Sequence, residues 1–345
     1  MNRHITLRTR SGKISFLIDR KWVRTVSLLV MITCLVFILG LSIGSIMIHP
    51  FAVLKHLLGM GTGEYDFVIN THRLPRMLVS LLVGAALGLS GLILQGVIRN
   101  PLASPDIIGI TGGASVGAII FITYCLGTFS IKWLPLGAIV GAAVVSFAIY
   151  LLSWYKGVTP YRLVLIGIGM AAVTSALTTM MIVVSATDIA SKAYIWMTGS
   201  VYGATWSHVQ SMLVWVVVFA PLALLFSRAV NVQQLGDDVA TGLGAKVELQ
   251  RFGLLIVSVA LAGSAVAYAG AIGFVGLIAP HAAKKLVNGS FGGLVPVTML
   301  LGGLIVSVSD VVGRTAFLPL DIPAGVFTAG IGAPFFLYLL YKKRK

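Results

Sequence analysis

Few residues of this chain have types and spacings that could support catalysis. Only 10% of its 345 residues are charged. The apolar segments contain no HExxH sequence, no nucleophile–base pair and no paired His and Asp cluster. His208 and Asp188 are isolated, and no Gly-Lys-Ser/Thr triplet of a phosphate-binding loop occurs. The sequence therefore predicts a non-enzymatic chain without a nucleotide site of its own.

Three arginines stand on the side of a membrane where basic residues are depleted. Cytoplasmic loops carry the excess of Lys and Arg in membrane proteins, yet Arg73, Arg76 and Arg314 fall in predicted external loops. Such arginines extend to lipid headgroups or pair with carboxylates, which match their planar guanidinium groups. The residues alone leave both interpretations open.

Two carboxylates lie at or inside the ends of apolar segments, where a charge is costly. Asp106 follows a proline and can cap the next helix. Asp310 stands four residues before Arg314, a helical spacing at which the two side chains can pair. We predict structural roles for both rather than proton relays. For His281, packing at a helix end and a direct role in transport both stay open.

One polar stretch interrupts the apolar pattern, and residues 235–249 are called the elbow below. The sequence predicts a short helix over 236–241, a Gly-Leu-Gly turn and a second short helix from Lys246. A stiff, exposed elbow of this kind suits docking into a groove on a partner protein. An ordinary loop is the alternative.

The composition indicates that lipid surrounds most of the chain. Hydrophobic residues make up 58%, and a soluble domain carries roughly a quarter charged residues. A span needs about twenty mostly apolar residues. Ten segments qualify: 25–48, 77–97, 107–127, 133–154, 162–186, 207–228, 252–269, 272–287, 293–312 and 323–341. The seventh and eighth are short and could form one long helix, which would give nine spans. Nine spans would place one basic end outside the cell, whereas ten place both on the same side, so we predict ten.

The basic ends set the predicted orientation. The formal net charge is +15, and basic residues flank the first and last spans. They are Arg3, Arg8, Arg10, Lys13, Arg20, Lys21 and Arg24 at one end, and Lys342, Lys343, Arg344 and Lys345 at the other. We predict a cytoplasmic basic tail (1–24), a single transmembrane domain (25–345) and both termini in the cytoplasm. Nucleic-acid binding is not expected, because no folded basic face with aromatics occurs.

Small residues recur at helical spacings inside the apolar segments. Gly84–Gly88 and Gly113–Gly117 predict close helix packing in lipid. Cys34 and Cys125 also lie in apolar segments, where we expect buried hydrophobic side chains rather than a disulfide or metal pair.

Several long motifs carry a resemblance to a known family. They are Arg73-Leu-Pro-Arg76, Gly84–Gly91, Gln95 with Arg99–Pro105, Trp196-Met-Thr-Gly199, Gly270–His281, Asp310–Arg314, Ile322–Gly325 and Gly332-Ala-Pro334. Together they resemble the permeases for iron–siderophore complexes, haem and vitamin B12 (FecCD-type) that work with ATP-binding-cassette (ABC) subunits. The resemblance covers about residue 70 to the C-terminus.

The resemblance implies an all-α membrane protein of ten spans with the type II ABC importer architecture. It implies a second permease subunit (a homologue or a second copy), an ABC ATPase dimer that binds ATP and Mg²⁺, and an extracytoplasmic siderophore-binding protein. This chain would hold no metal or cofactor, because iron travels already chelated. Siderophore complexes are the favoured cargo, with haem or cobalamin as the alternative. An ion-coupled secondary transporter is disfavoured, since no span has an acidic residue near its centre.

The resemblance also implies three groups of site residues. Binding-protein docking falls on Arg73, Arg76 and Arg314, and ATPase coupling on Leu235, Gly236, Ala240, Gly242, Leu243 and Gly244. A cytoplasmic gate falls on Asn100, Leu102, Pro160 and Tyr161. The last two depart from the small hydroxyl residues of the vitamin B12 member. Asp321 stands where the family usually has Glu. Lys284 stands where the family often has Arg, in the segment after Pro280-His281.

Overall fold

The computed structural model describes residues 4–8, 15–61, 63–125, 128–155, 157–287 and 289–342. The predicted basic residues Arg3, Arg10, Lys13, Lys343, Arg344 and Lys345 lie outside this part of the chain. Two strands near the N-terminus, β1 (His4–Arg8) and β2 (Ser15–Asp19), pair antiparallel. The rest of the described chain consists of helices and the turns and short segments that connect them, which confirms the predicted all-α class.

Fourteen α-helices follow the strands in the described residues. They are α1 (Arg20–Ser42), α2 (Pro50–Leu57), α3 (Leu74–Val97), α4 (Ile110–Ile120), α5 (Leu134–Leu152), α6 (Pro160–Val184), α7 (Thr187–Met197), α8 (Trp206–Leu225), α9 (Ser227–Gln233), α10 (Asp237–Gly242), α11 (Val247–Ala269), α12 (Val275–Leu286), α13 (Phe291–Thr315) and α14 (Ala324–Lys342). A π-helical segment, Phe67–Arg73, leads into α3, and another, Phe121–Cys125, continues α4. Short 3₁₀ turns, Pro105–Ile108 and Ile131–Trp133, precede α4 and α5.

Seven of these helices are long and apolar enough to cross a membrane: α1, α3 with its leading segment, α5 with its leading turn, α6, α8, α11 and α13. Two shorter apolar helices, Ile110–Cys125 and Ala324–Leu339, correspond to the third and tenth predicted spans. The eighth corresponds to α12, whose 12 residues rise about 18 Å at 1.5 Å each. That is well short of a ~30 Å hydrocarbon core, so α12 does not cross it alone.

The seventh and eighth predicted spans are separate helices. The chain breaks between α11 and α12 at two residues with positive φ, Gly270 (68°) and Phe274 (66°). A side chain at Gly270 would place its Cβ 2.2 Å from the carbonyl oxygen of Trp196. Glycine therefore allows the backbone both to turn and to approach a neighbouring segment here.

Helix α3 lies at the centre of the bundle. Its most apolar stretch is 83% buried, against 22% for α1, α5 and α6. An added Cβ at Gly84 would lie 2.1 Å from the carbonyl oxygen of Gly302 on α13, and one at Gly117 2.2 Å from that of Gly137 on α5. These backbone contacts confirm the predicted close packing at Gly84–Gly88 and Gly113–Gly117.

Several predicted boundaries are wrong, and capping groups explain part of this. The first span begins at Arg20 rather than 25, because the Asp19 side chain accepts a hydrogen bond from the backbone N–H of Lys21 (2.8 Å). The predicted loop 49–76 contains α2 and the π-helical segment, so Arg73 and Arg76 lie within a helix. The loop before the sixth span contains α7. Cys34 is exposed on α1, not buried as predicted, and both cysteines are free.

The long helices place two groups of charges at opposite ends of the bundle. Trp22, in the first turn of α1, donates through Nε1 to the carbonyl of Gly293, in the first turn of α13 (2.8 Å). Helices α1 and α13 therefore begin at the same end of the bundle. Arg73 donates to the Leu41 carbonyl (2.6 Å) near the last turn of α1. We call the end with Arg73 the arginine end and the end with residues 235–249 the elbow end.

Candidate functional site

The arginine cluster consists of Arg73, Arg76, Arg314, Asp310 and Asp321. Arg76 lies at its centre and bridges both carboxylates. Its Nε donates to Asp310 (2.9 and 3.1 Å), and its Nη1 and Nη2 donate to Asp321 (2.6 and 2.8 Å). Asp310 is 1% exposed and Asp321 29%. Arg76 therefore joins α3 to α13 and to the segment between α13 and α14 through charge-assisted pairs.

The other two arginines hold the end of α1. Arg73 is 5% exposed, and its guanidinium donates to the carbonyl oxygens of Leu41, Ser42 and Ile46 (2.6, 3.1 and 2.5 Å). Arg314 donates to the Gly40 carbonyl, and its Nε lies 3.6 Å from Asp310. The last carbonyls of a helix lack partners within the helix. Both arginines thus satisfy acceptors that the end of α1 leaves open.

A cavity of about 570 Å³ opens beside this cluster. Its lining includes all three arginines, Asp321 and Tyr202. The Tyr202 ring lies 5.5 Å from the Arg76 guanidinium carbon, within the range of a cation–π contact. The cavity is therefore rimmed by charges that already have partners inside the chain.

The predictions for this cluster have different outcomes. The pairing of Asp310 with Arg314 is confirmed, and Asp310 has the structural surroundings predicted for it. Docking of a binding protein on Arg73, Arg76 and Arg314 stays a prediction. The chain's own carbonyls and carboxylates engage all three guanidinium groups, so a docking carboxylate would have to share or displace these partners.

At the elbow end, α10 is a six-residue helix set off by glycines. Gly236 (φ 108°) precedes it and Gly244 (φ 82°) follows it. Leu235, Val239 and Leu243 are exposed, whereas Ala240 is buried. The short first helix and the turn match the prediction. The predicted second short helix is wrong, because residues from Val247 onward form the first turns of the long α11.

A charge network, here called the elbow network, comprises Arg99, Val158, Asp237, Glu248 and Arg251. Asp237, in the first turn of α10, accepts two hydrogen bonds from Arg251 Nη2 (both 2.9 Å) and pairs with Arg99 Nη2 (3.1 Å). Arg251 also donates to the Val158 carbonyl, and the Val158 N–H donates to Glu248 (3.2 Å). Arg251 is 1% exposed.

The predicted gate residues all lie at the elbow end, on two segments. The Asn100 side chain accepts a hydrogen bond from the N–H of Leu102 (2.9 Å), which fixes the turn after α3. Pro160 begins α6, and Tyr161 after it is exposed. Their role as a gate stays a prediction. Each segment borders a member of the elbow network, Arg99 in one case and Val158 in the other.

Three further polar residues take up structural contacts. The prediction that Asp106 caps α4 is wrong, because Asp106 lies in the 3₁₀ turn before that helix. Its carboxylate instead accepts a hydrogen bond from Thr111 Oγ1. The His281 ring packs edge-on against Phe335 of α14 (5.6 Å). Lys284 donates to the buried Gln95 of α3 (2.7 Å), which ties α12 to α3.

Comparison with known proteins decides the family. Residues 31–342 match the model of the FecCD transport family. This chain belongs to the FecCD transport family. The resemblance predicted from its motifs is thereby confirmed, and with it a membrane-transport function.

FecCD relatives match this chain over nearly its full length. The achromobactin transport system permease protein CbrC of Dickeya dadantii (strain 3937) is 47% identical over 335 residues, which cover 97% of this chain and 96% of that protein. The iron(3+)-hydroxamate import system permease protein FhuG of Bacillus subtilis (strain 168) is 41% identical, with 89% and 93% covered. A solved structure described as a metal-chelate type ABC transporter, in an inward-facing conformation, has a TM-score of 0.81 at 30% identity and covers 93% of this chain and 99% of that one.

Apart from the pairing of Asp310 with Arg314, the sequence of this FecCD chain does not indicate the partners of its arginines. Asp237, Glu248 and Arg251 were not singled out, although Arg251 stands at the start of an apolar span and Glu248 precedes it by three residues, a helical pairing distance. A charge inside a span is a signal in itself. The pairing of Arg76 with Asp310 and Asp321 joins residues 234 and 245 positions apart, and no local spacing indicates it.

Proposed function

We propose that this chain is a permease subunit of an ATP-driven importer that carries iron(III)–siderophore complexes across the cytoplasmic membrane by alternating access. The observation that carries the proposal is the elbow: a short helix between two glycines presents exposed Leu235, Val239 and Leu243 outside a bundle of apolar spans. An apolar patch on a stiff projection fits a groove on a partner. The names of the relatives support the cargo class.

The partner at the elbow is an ABC ATPase dimer, which binds ATP and Mg²⁺ in place of this chain. The elbow and both ends of the chain then face the cytoplasm. The distribution of basic residues supports this orientation, since Arg20, Lys21, Arg24 and Lys342 lie at the elbow end. Leu235, Gly236, Ala240, Gly242, Leu243 and Gly244 form the coupling surface or shape it. Asn100, Leu102, Pro160 and Tyr161 form the cytoplasmic gate.

At the opposite end, an extracytoplasmic siderophore-binding protein docks over the arginine cluster. The cavity beside Arg76 supports this placement, because the Arg76 side chain lines it and keeps 11% of its surface exposed, so a carboxylate entering the cavity can contact the guanidinium. Arg73 and Arg314 then hold the rim in shape. A second permease subunit, a homologue or a second copy, completes the pathway, and this chain contributes no cofactor.

Uptake of radioactive ferric chelates tests the proposal. Cells lacking this chain, and the same cells with it restored, are compared for hydroxamate, catecholate, carboxylate and citrate complexes. Loss confined to one chelate class, restored by the intact chain, is expected. Normal uptake of every ferric chelate, together with loss of haem or cobalamin uptake, would show that the cargo is haem or cobalamin rather than an iron–siderophore complex. Uptake that survives ATP depletion while an ion gradient persists would instead favour a secondary transporter.

A further inference from the structure

We propose that the elbow network mechanically couples the elbow to both gate segments, with Asp237 as the positioning residue that joins them. The inference rests on the proposed function, because it assigns a route between the ATPase-facing elbow and the cytoplasmic gate. It assigns roles to four residues for which neither the sequence motifs nor the family resemblance implied one: Arg99, Asp237, Glu248 and Arg251.

The first branch leads from the elbow to the turn after α3. Asp237 in the first turn of α10 pairs with Arg99 Nη2 at 3.1 Å. Arg99 immediately precedes Asn100 and has a positive φ of 56°, a conformation that costs a non-glycine residue energy and must be held by its surroundings. Its other terminal nitrogen points to the carbonyl of Gln233 at the end of α9 (3.5 Å). The first gate segment therefore contacts the end of α9 on one side of Gly236 and the elbow helix α10 on the other.

The second branch leads to the turn between α5 and α6. Arg251 pairs with both oxygens of Asp237 (2.9 Å each) and donates to the Val158 carbonyl. The Val158 N–H in turn donates to both oxygens of Glu248 (3.2 Å). Val158 is two residues before Pro160, and side chains of α11 bind both its backbone N–H and its carbonyl. The second gate segment moves only if these bonds move with it.

The energetics favour joint movement over rupture. Arg251 is 1% exposed, and leaving a buried charge without its partner is strongly unfavourable. Helix α10, with six residues, is too short to be stable without tertiary contacts. Its position therefore depends on contacts such as the ion pairs of Asp237 and the burial of Ala240. A push on α10 is transmitted to Arg99 and Arg251 together, rather than absorbed by an independent loop.

Amide hydrogen exchange of the purified chain in nanodiscs tests the physical link without any partner protein. Asp237→Asn removes the charge and keeps the side-chain shape. We expect amides of 98–103 and of 157–163 to exchange roughly tenfold faster or more, because the loss of one partner weakens a buried pair throughout its network. The matched control is Asp238→Asn, an adjacent exposed carboxylate without an ion pair in the described chain. Unchanged exchange in either segment overturns the coupling.

Transport per ATP tests the consequence in vesicles that contain the assembled importer. In Asp237→Asn we expect at least a fivefold lower ratio of chelate imported to ATP hydrolysed, with hydrolysis retained. Arg99→Gln added to Asp237→Asn should lower the ratio little further, since residues acting through one pair are non-additive. Asp188→Asn, at the other end, is the charge control. Failure of the unmodified importer to carry any ferric chelate would contradict the proposed function. The hydrogen-exchange measurement on the chain alone tests the coupling through the elbow network independently of that outcome. A normal ratio in Asp237→Asn overturns the inference.

Discussion

The two ends of this molecule use the same chemistry for different purposes. At the arginine end, Asp310 is shared between Arg76 and Arg314; at the elbow end, Asp237 is shared between Arg99 and Arg251. Asp310 is 1% exposed and Asp237 34%. One carboxylate is thus sealed in the bundle, and the other remains in contact with solvent.

The elements that these carboxylates join differ more than the pairs themselves. Asp310 and its arginines tie together α1, α3 and α13, each of 23 to 25 residues. Asp237 ties a six-residue helix to the turn at Arg99 and, through Arg251 near the start of α11, to the turn at Val158. Long helices packed on one another resist relative movement, whereas short segments joined by glycines can move as a group. We conclude that the arginine end forms a frame and the elbow end a linkage.

The largest expected effect on stability is at Asp310. Asp310→Asn leaves Arg76 and Arg314 buried without their shared countercharge, so the free energy of unfolding should fall by about 3–5 kcal/mol. Asp321→Asn removes a partly exposed partner of the same Arg76, and should cost only about 1 kcal/mol. Thermal and chemical denaturation in detergent measures both. Equal losses in the two variants would contradict a frame centred on Asp310.

A smaller effect separates the two ends through glycine packing. Gly84→Ala places a methyl group 2.1 Å from the carbonyl oxygen of Gly302, which forces α3 and α13 apart. Overpacking of this kind costs about 1–3 kcal/mol. Gly242→Ala meets no atom within 4 Å and has no positive φ, so it should leave stability unchanged or raise it by up to about 1 kcal/mol. A Gly242→Ala chain as unstable as Gly84→Ala would show that the elbow is packed as rigidly as the bundle.

The sequence predicted the frame better than the linkage. Apolar runs of about twenty residues indicate spans because the hydrocarbon core fixes their length, and Gly84–Gly88 indicated packing because glycine permits close backbone contact. The motifs identified the family. The pairing of Asp310 with Arg314 was also predicted, since four residues is a helical contact distance.

The remainder depends on contacts between residues far apart in the chain. Arg76 was placed in a loop because Pro75 and the polar residues before it end the apolar run; in the structure a π-helical segment extends α3 through them. Arg251 pairs with Asp237 across the turn at Gly244, and with Val158 93 positions away. Neither contact follows from periodicity. Tertiary packing decided both, so the docking and gate assignments came from resemblance alone.

Substitution of one exposed leucine at each end should have the smallest effect on stability and should show which end binds the ATPase. Leu243 in the elbow is 67% exposed, and Leu320 beside the arginine cluster is 68% exposed. Because neither is buried, Leu243→Ser and Leu320→Ser should each change the free energy of unfolding by less than about 0.5 kcal/mol. If the elbow docks on the ATPase, Leu243→Ser should reduce co-purification of the ATPase roughly fivefold or more, as expected for an apolar anchor at an interface. Leu320→Ser should leave that association intact and weaken only binding at the opposite end. Equal retention of the ATPase by both variants would mean that the exposed leucines of the elbow are not its docking surface.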